Sequence, residues 1–237
     1  MSYIYLKKDV LPKGLPKRKR IIISVLLLAG SSFLYLAIFP IIKFQFEYSG
    51  KFKQIIDPSA PKSSNKTNIL GENTDYTQLS NWFVNTQNNL LPVTQIDDST
   101  KSTYYLSIPK LKITDATVTI GSMDLNKSLI QYPQTALPGQ LGNTVIFGHS
   151  TLSQFFSSKN YLTIFSTLYK LEQGDEIYLK YDKSTYKYVV EEMFEVQPTN
   201  LSVLEQRFDD RTLTLITCSP PGTYLRRLII KATLSAN

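Results

Sequence analysis

The chain has 237 residues and a formal charge of +7, with a single Cys and a single His. One thiol excludes an internal disulfide, and one Cys with one His excludes a multi-thiolate or Cys/His metal cage. Residues 1–20 hold seven of the 26 basic and one of the 19 acidic residues, which leaves 19 against 18 elsewhere. The basic balance therefore belongs to a short tail, and no nucleic-acid-binding surface is expected.

Directly after the cluster Lys17-Arg18-Lys19-Arg20 comes an uncharged run of 22 residues, Ile21 to Ile42. As a helix it rises about 33 Å at ~1.5 Å per residue, enough to cross a hydrocarbon core of ~30 Å. Basic residues on its N-terminal side predict an N-terminus in the cytoplasm and the C-terminal bulk outside. The run exceeds the 7–15 apolar residues of a signal peptide, and Pro40-Ile41-Ile42-Lys43 is a poor small-residue cleavage site. A retained anchor over residues 21–42 is expected, following a cytoplasmic tail over 1–20.

Residues 43–103 read as an extracytoplasmic linker, rich in Ser, Asn, Lys, Thr, Asp and Gln, with Asp57 to Asn68 as flexible tether. Within it, Tyr76, Leu79, Trp82, Phe83 and Leu90 have partly helical spacing. That pattern fits a short helix or scattered aromatics in a spacer.

From Tyr104 the texture turns to short β-rich pieces. Tyr104 to Ile108 alternates until Pro109, and Leu111 and Ile113 resume the pattern. The turn Pro138 to Asn143 precedes a short apolar strand, Thr144 to Phe147. Ile164, Phe165, Leu168 and Leu171 follow helical spacing and stop before Gly174-Asp175. Glu176 to Tyr181 and Thr185 to Val190 read as a hairpin around Asp182-Lys183-Ser184. Thr212 to Cys218 and Leu225 to Leu234 read as the last two strands. Short strands with turn signals and one or two short helices predict a small closed β-barrel over residues 104–237.

Alternation along Thr212 to Cys218 puts Leu213 and Leu215 on one face and Cys218 with Ile216 on the other, at a strand end that opens to a cleft. Taken singly, Cys218 reads as a small buried hydrophobe, His149 as an incidental histidine and Arg227 as a solvated strand residue. Together they supply the parts of acyl transfer. A thiol needs a base to become thiolate, an imidazole can hold that proton and return it to a leaving amine, and a guanidinium can face an oxyanion. Arg226 points to the face opposite Arg227.

The strings Thr214-Leu215-Ile216-Thr217-Cys218, Asn143-Thr144-Val145-Ile146-Phe147-Gly148-His149 and Arg227-Leu228-Ile229-Ile230 resemble the sortase family of membrane-anchored cysteine transpeptidases. Leu106-Ser107-Ile108-Pro109-Lys110-Leu111 and Leu171-Glu172-Gln173-Gly174-Asp175-Glu176-Ile177 extend the likeness over about residues 104–237. The resemblance implies a mostly β, closed eight-stranded barrel. It implies Cys218 as nucleophile, His149 as proton donor and acceptor, Arg227 as oxyanion or substrate stabiliser, and Thr217 in substrate binding. The implied donor is a membrane-tethered protein with a C-terminal Leu-Pro-X-Thr-Gly-like sorting signal. The implied acceptor is an amine of a cell-wall precursor or of a pilin lysine. No cofactor is expected, because no acidic cluster compels the calcium that some relatives use. The compact Cys218–Arg227 connection, with Pro220, Pro221 and Gly222, resembles pilin-type and related housekeeping members. Asp57-Pro58 reads as linker, not as the Asp-Pro-aromatic lid of pilin-type relatives. Other functions open to the same residues are a membrane-anchored cysteine hydrolase and a catalytically silent binding barrel.

Overall fold

A computed structural model describes residues 16–48, 50, 52–54, 75, 77–82 and 102–235. Residues 1–15, the tether from Asp57 to Asn68, and Tyr76, Phe83 and Leu90 lie outside the described residues. The chain divides into two compact units, residues 1–40 and 41–237.

Helix α1 spans Lys17–Tyr48, ten residues longer than the 22-residue apolar run. It is long and apolar enough to cross a membrane, with a mean hydropathy of 2.4 over its most apolar window and none of that window buried. Pro40 lies inside it and removes one backbone hydrogen bond. Within the second unit, the last turn of α1 carries Phe44 into a buried aromatic group with Tyr48, Phe52 and Tyr169, at ring separations of 5.0–6.4 Å.

The second unit is built on nine strands: β1 (Lys53–Gln54), β2 (Thr103–Ile108), β3 (Ile113–Ile120), β4 (Leu129–Gln131), β5 (Gly142–Phe147), β6 (Glu176–Tyr181), β7 (Ser184–Val196), β8 (Arg211–Ser219) and β9 (Arg226–Leu234). Their order is β1-β7-β6-β2-β3-β4-β5-β8-β9, and β9 pairs back onto β7. Strands β2 to β9 thus close into the expected eight-stranded barrel, and β1 adds two residues in parallel to the outer edge of β7. Closure removes the unpaired edges that an open sheet would present. The pairs β3–β4 and β5–β8 are parallel.

Two clusters occupy opposite faces of the sheet. Leu213 and Leu215 of β8 join Leu106, Val118, Ile146, Leu228 and Ile230. Ile216 and Cys218 join Val145, Phe147, Phe194, Val196 and Ile229 on the other face, where Leu79, Trp82, Leu125 and Val203 cover them. The alternation read from the sequence of β8 holds through Cys218.

Three details differ from expectation. The stretch 164–171 forms turns and a 3-10 helix at Leu168–Lys170, not an α-helix. Five short 3-10 helices are described in the second unit, more than the one or two helices expected. The second strand of the predicted hairpin runs to Val196, past the expected Val190, through an irregularity between Val190 and Glu192.

Candidate active site

Strand β8 lies between the strands that carry its two partners. On one side it pairs with β5 in parallel register, from Gly142 opposite Arg211 to Phe147 opposite Ile216. Past the end of β5, side chains continue what the ladder began. The Gly148 N–H donates to the Ile216 carbonyl at 3.2 Å, the Thr217 hydroxyl donates to the Gly148 carbonyl at 2.8 Å, and the Ser150 hydroxyl donates to the Cys218 carbonyl at 2.8 Å. His149 is therefore held in a segment stitched on both sides to the strand end that bears Cys218. Gly148 is required here, because a Cβ would lie 2.4 Å from the Phe165 ring and 2.6 Å from Leu129. The Phe165 N–H donates to the His149 carbonyl at 3.0 Å and fixes the loop from the other side.

On its other side β8 pairs antiparallel with β9, and Cys218 is the direct partner of Arg227. Such cross-strand pairs stand about 4.5–5.5 Å apart at Cα, and their side chains share a face. Arg226 takes the opposite face and pairs with Glu195 at 2.9 Å. The Arg227 side chain is almost fully buried. Its Nη1 donates to the Tyr224 and Arg226 carbonyls, each at 3.2 Å, and its Nη2 donates to the Trp82 carbonyl at 2.5 Å. Its Nε is buried with no hydrogen-bond partner among the described residues.

Trp82 reorganises the expectation of an open cleft. Its ring is fully buried, edge-on to Phe147 at 5.5 Å, 5.7 Å from the His149 ring and 5.2 Å from the Arg227 guanidinium. Cys218, expected at an open strand end, is only 1% exposed beneath this cover. The cover is tied down by the backbone: Leu79 N–H donates to the Met123 carbonyl and Leu125 N–H to the Thr77 carbonyl, both at 3.0 Å. Leu79–Asn81 forms a 3-10 turn that buries Leu79. Asp75 braces its start by accepting from the Thr77 N–H at 2.9 Å and the Thr77 hydroxyl at 2.6 Å. Residues 75 and 77–82, read from sequence as part of a linker, are in this state a plug over the site.

Burial sets the protonation of both groups. It pushes the Cys218 thiol from 9.0 up to about 11, against the pull of the Arg227 cation. It holds His149 down from 6.5 to about 4, against the carboxylates of Asp75 and Asp124. The His149 Nε2 is buried with no hydrogen-bond partner among the described residues. At neutral pH the covered site therefore holds a neutral thiol and a neutral imidazole. Proton transfer between them makes two charges that water, substrate or Arg227 must stabilise.

Thr217, expected in substrate binding, is buried on the face away from Cys218, with its hydroxyl committed to Gly148. Its visible work is to join the histidine segment to the cysteine strand. Sequence reasoning missed Ser150, whose bond to the Cys218 carbonyl depends on chain parts 68 residues apart. It also missed Trp82 as a component of the site, although this is the only Trp in the chain and its apolar spacing with Leu79 was visible. Among the described residues no three His, Cys, Asp or Glu side chains gather as metal ligands.

A family model described as a sortase domain matches residues 106–235. Sortase A of Staphylococcus aureus is 33% identical over 118 residues, which are 43% of this chain and 56% of that protein. Sortase A of Bacillus anthracis is 32% identical over 111 residues, 46% of this chain and 49% of that protein. The chain thus spans about half the length of the curated relatives it matches. Among solved structures, a lid mutant of sortase A from Corynebacterium diphtheriae superposes with a TM-score of 0.51 at 27% identity, covering 58% of this chain and 72% of that one. The pilus-related sortase C of Group B Streptococcus superposes with a TM-score of 0.50 at 28% identity, covering 58% and 69%.

Proposed function

The chain belongs to the sortase family, and we propose that it is a membrane-anchored cysteine transpeptidase that cuts a Leu-Pro-X-Thr-Gly-like sorting signal and passes the acyl group to an amine. The observation that carries this reading is the placement of Cys218 directly across from Arg227, with the His149 segment stitched to the same strand end. In the proposed reaction a proton moves from the Cys218 Sγ to His149, and the thiolate adds to the Thr carbonyl of the signal. The oxyanion that forms faces the Arg227 guanidinium. Collapse breaks the Thr–Gly bond, His149 gives its proton to the departing Gly amine, and an acyl thioester remains on Cys218. An amine of a cell-wall precursor or a pilin lysine then adds to the thioester, gives its proton to His149, and leaves with a new amide as the Cys218 thiolate is restored.

Arg227 already holds a peptide carbonyl, that of Trp82. In this reading the Trp82 peptide occupies the position that a substrate carbonyl must take, so the plug has to leave before a signal can enter. The relative from Corynebacterium diphtheriae whose structure is a lid mutant is consistent with a covered resting state. Helix α1 would confine the enzyme to the surface where membrane-tethered donors are found, raising their effective concentration without new contacts. The basic cluster at Lys17 to Arg20 orients the catalytic unit to the extracytoplasmic side.

The test is to incubate the full chain in detergent with a panel of Leu-Pro-X-Thr-Gly-type peptides, with and without amine acceptors, and to weigh the products. Cleavage between Thr and Gly, an acyl adduct on Cys218 and an amide with the acceptor are expected. Cleavage with water as the sole acceptor across the panel would make it a hydrolase. No adduct on Cys218, even in the Trp82→Ala variant, would overturn the enzymatic reading.

A further inference from the structure

Behind the Cys218–Arg227 pair, on the other face of β8 and β9 and of the neighbouring β7, lies a charged cluster with no part in the chemistry above. Glu195 of β7 is only 3% exposed. One carboxylate oxygen accepts from the Ser219 hydroxyl at 2.5 Å, and the other accepts from the Arg226 guanidinium at 2.9 Å. Ser219 follows Cys218 and is fully buried, and Arg226 precedes Arg227. Ser219 and Arg226 are themselves cross-strand partners, while Val196 faces Arg227 and Glu195 faces Leu228. One carboxylate therefore grips β8 and β9 one residue beyond the reacting pair, from a third strand.

The position makes the grip consequential. Ser219 is the last residue of β8 and Arg226 the first of β9. Strand ends open first, because they have ladder partners on one side only. A buried carboxylate is also a poor source of stability, since an apolar side chain of similar size usually serves as well. What it supplies is a fixed geometry: two directional, charge-strengthened bonds that hold the strand ends in one register. We propose that Glu195 is a positioning residue for transpeptidation, holding Cys218 and Arg227 opposite each other by clamping Ser219 and Arg226 behind them.

This inference rests on the transpeptidase reading for its kinetic readout, so the experiment has a second readout that does not. In the full chain, Glu195→Gln keeps the shape and removes the charge. The expected result is a fall in kcat of about 10- to 100-fold with KM nearly unchanged, as for a small misplacement of reacting groups. Independently of any peptide, and in the Trp82→Ala background, where the thiol is open to the reagent and its inflection falls toward 9, the pH profile of Cys218 alkylation by iodoacetamide should move upward in Glu195→Gln, because the thiol loses the cation opposite it. In a double-mutant cycle with Arg227→Gln, the double variant should alkylate no more slowly than Arg227→Gln alone. Ser219→Ala, which removes the other arm of the clamp, should move rate and profile in the same direction by less, and it reports if Glu195→Gln does not fold. Rescue by Glu195→Asp is expected to be partial. A wild-type chain with no turnover on any peptide would sink the transpeptidase reading while leaving the alkylation cycle readable. An unmoved alkylation profile in folded Glu195→Gln, or losses that simply add in the double variant, would overturn the clamp.

Discussion

Replacing Trp82 by Ala should expose the Cys218 thiol and multiply its reactivity. The Trp82 side chain is fully buried, and its ring lies between His149 and Arg227. Burying a Trp removes about 200 Å² of surface, so its loss weakens docking of residues 77–82 by about 5 kcal/mol at ~25 cal/mol per Å². Burial holds the thiol at about 11 in place of 9.0, which leaves about a hundredfold less thiolate at neutral pH. That factor is worth about 2.7 kcal/mol, less than the docking energy removed, so the thiol and not the plug should then limit the rate. Alkylation of Cys218 by iodoacetamide, followed by intact-mass measurement between pH 6 and 10, should accelerate about 10- to 100-fold at pH 7.5. Its inflection should fall toward 9. The unmutated chain should react slowly, with a profile still rising at pH 10. If Trp82→Ala alkylates at the parental rate with the same profile, the barrel walls and not the plug bury the thiol, and the reasoning fails.

Cys218→Ala should abolish acyl transfer, and its melting temperature should stay within a few degrees of the parent, because the change removes only one sulfur's packing from the cluster of Val145, Phe147 and Ile229. A large loss of stability would instead mark Cys218 as a packing residue. Arg227→Gln should lower kcat about 10²-fold, as loss of one oxyanion donor does, and in the Trp82→Ala background should raise the alkylation pH profile because Arg227 pulls the thiol downward; retention of full kcat would remove Arg227 from the chemistry. His149, held at about 4 while its ordinary value is 6.5, binds its proton more readily unfolded than folded. Stability should therefore fall as pH drops from 6.5 toward 4, by about 2 kcal/mol at pH 5, and thermal melts of His149→Asn at pH 7 and 5 should lack this component. Thr217→Val should cost about 1–2 kcal/mol in denaturant unfolding by leaving the Gly148 carbonyl without its donor; an unchanged midpoint would show that the tie contributes nothing.

The legible parts of the fold were those where one face is apolar and the partner lies close in sequence. The alternation of Leu213, Leu215 and Ile216 placed β8, and the turn at Asp182 placed the β6–β7 hairpin. β4 left no alternating signal, because it has only three residues and all are buried. Phe165, Leu168 and Leu171 recur every third residue, which suits the 3-10 period as well as an α-helix, and the shorter element formed. The far half of β7 was hidden because Glu191 and Glu192 sit at the register shift and break the period just before Glu195. In the site, Cys218 and His149 were marked by strand ends and by being single in the chain, and Arg227 by the sortase-like string Arg227-Leu228-Ile229-Ile230. The plug was not, because the backbone partners of residues 77 and 79 lie more than 40 positions away, at Leu125 and Met123.

The three-strand arrangement of the site puts its three groups on one frame. Cys218, His149 and Arg227 come from the adjacent strands β5, β8 and β9 or the residue just past them. The segments 150–175 and 197–210 lie outside those strands. Neither segment is free of that frame: Ser150 and Phe165 tie the first to Cys218 and His149, and Val203, Glu205 and Gln206 tie the second to Asn143 of β5. The barrel is in this sense a chassis: three neighbouring ribs hold Cys218, His149 and Arg227, and the loops beside them are bolted to the same ribs.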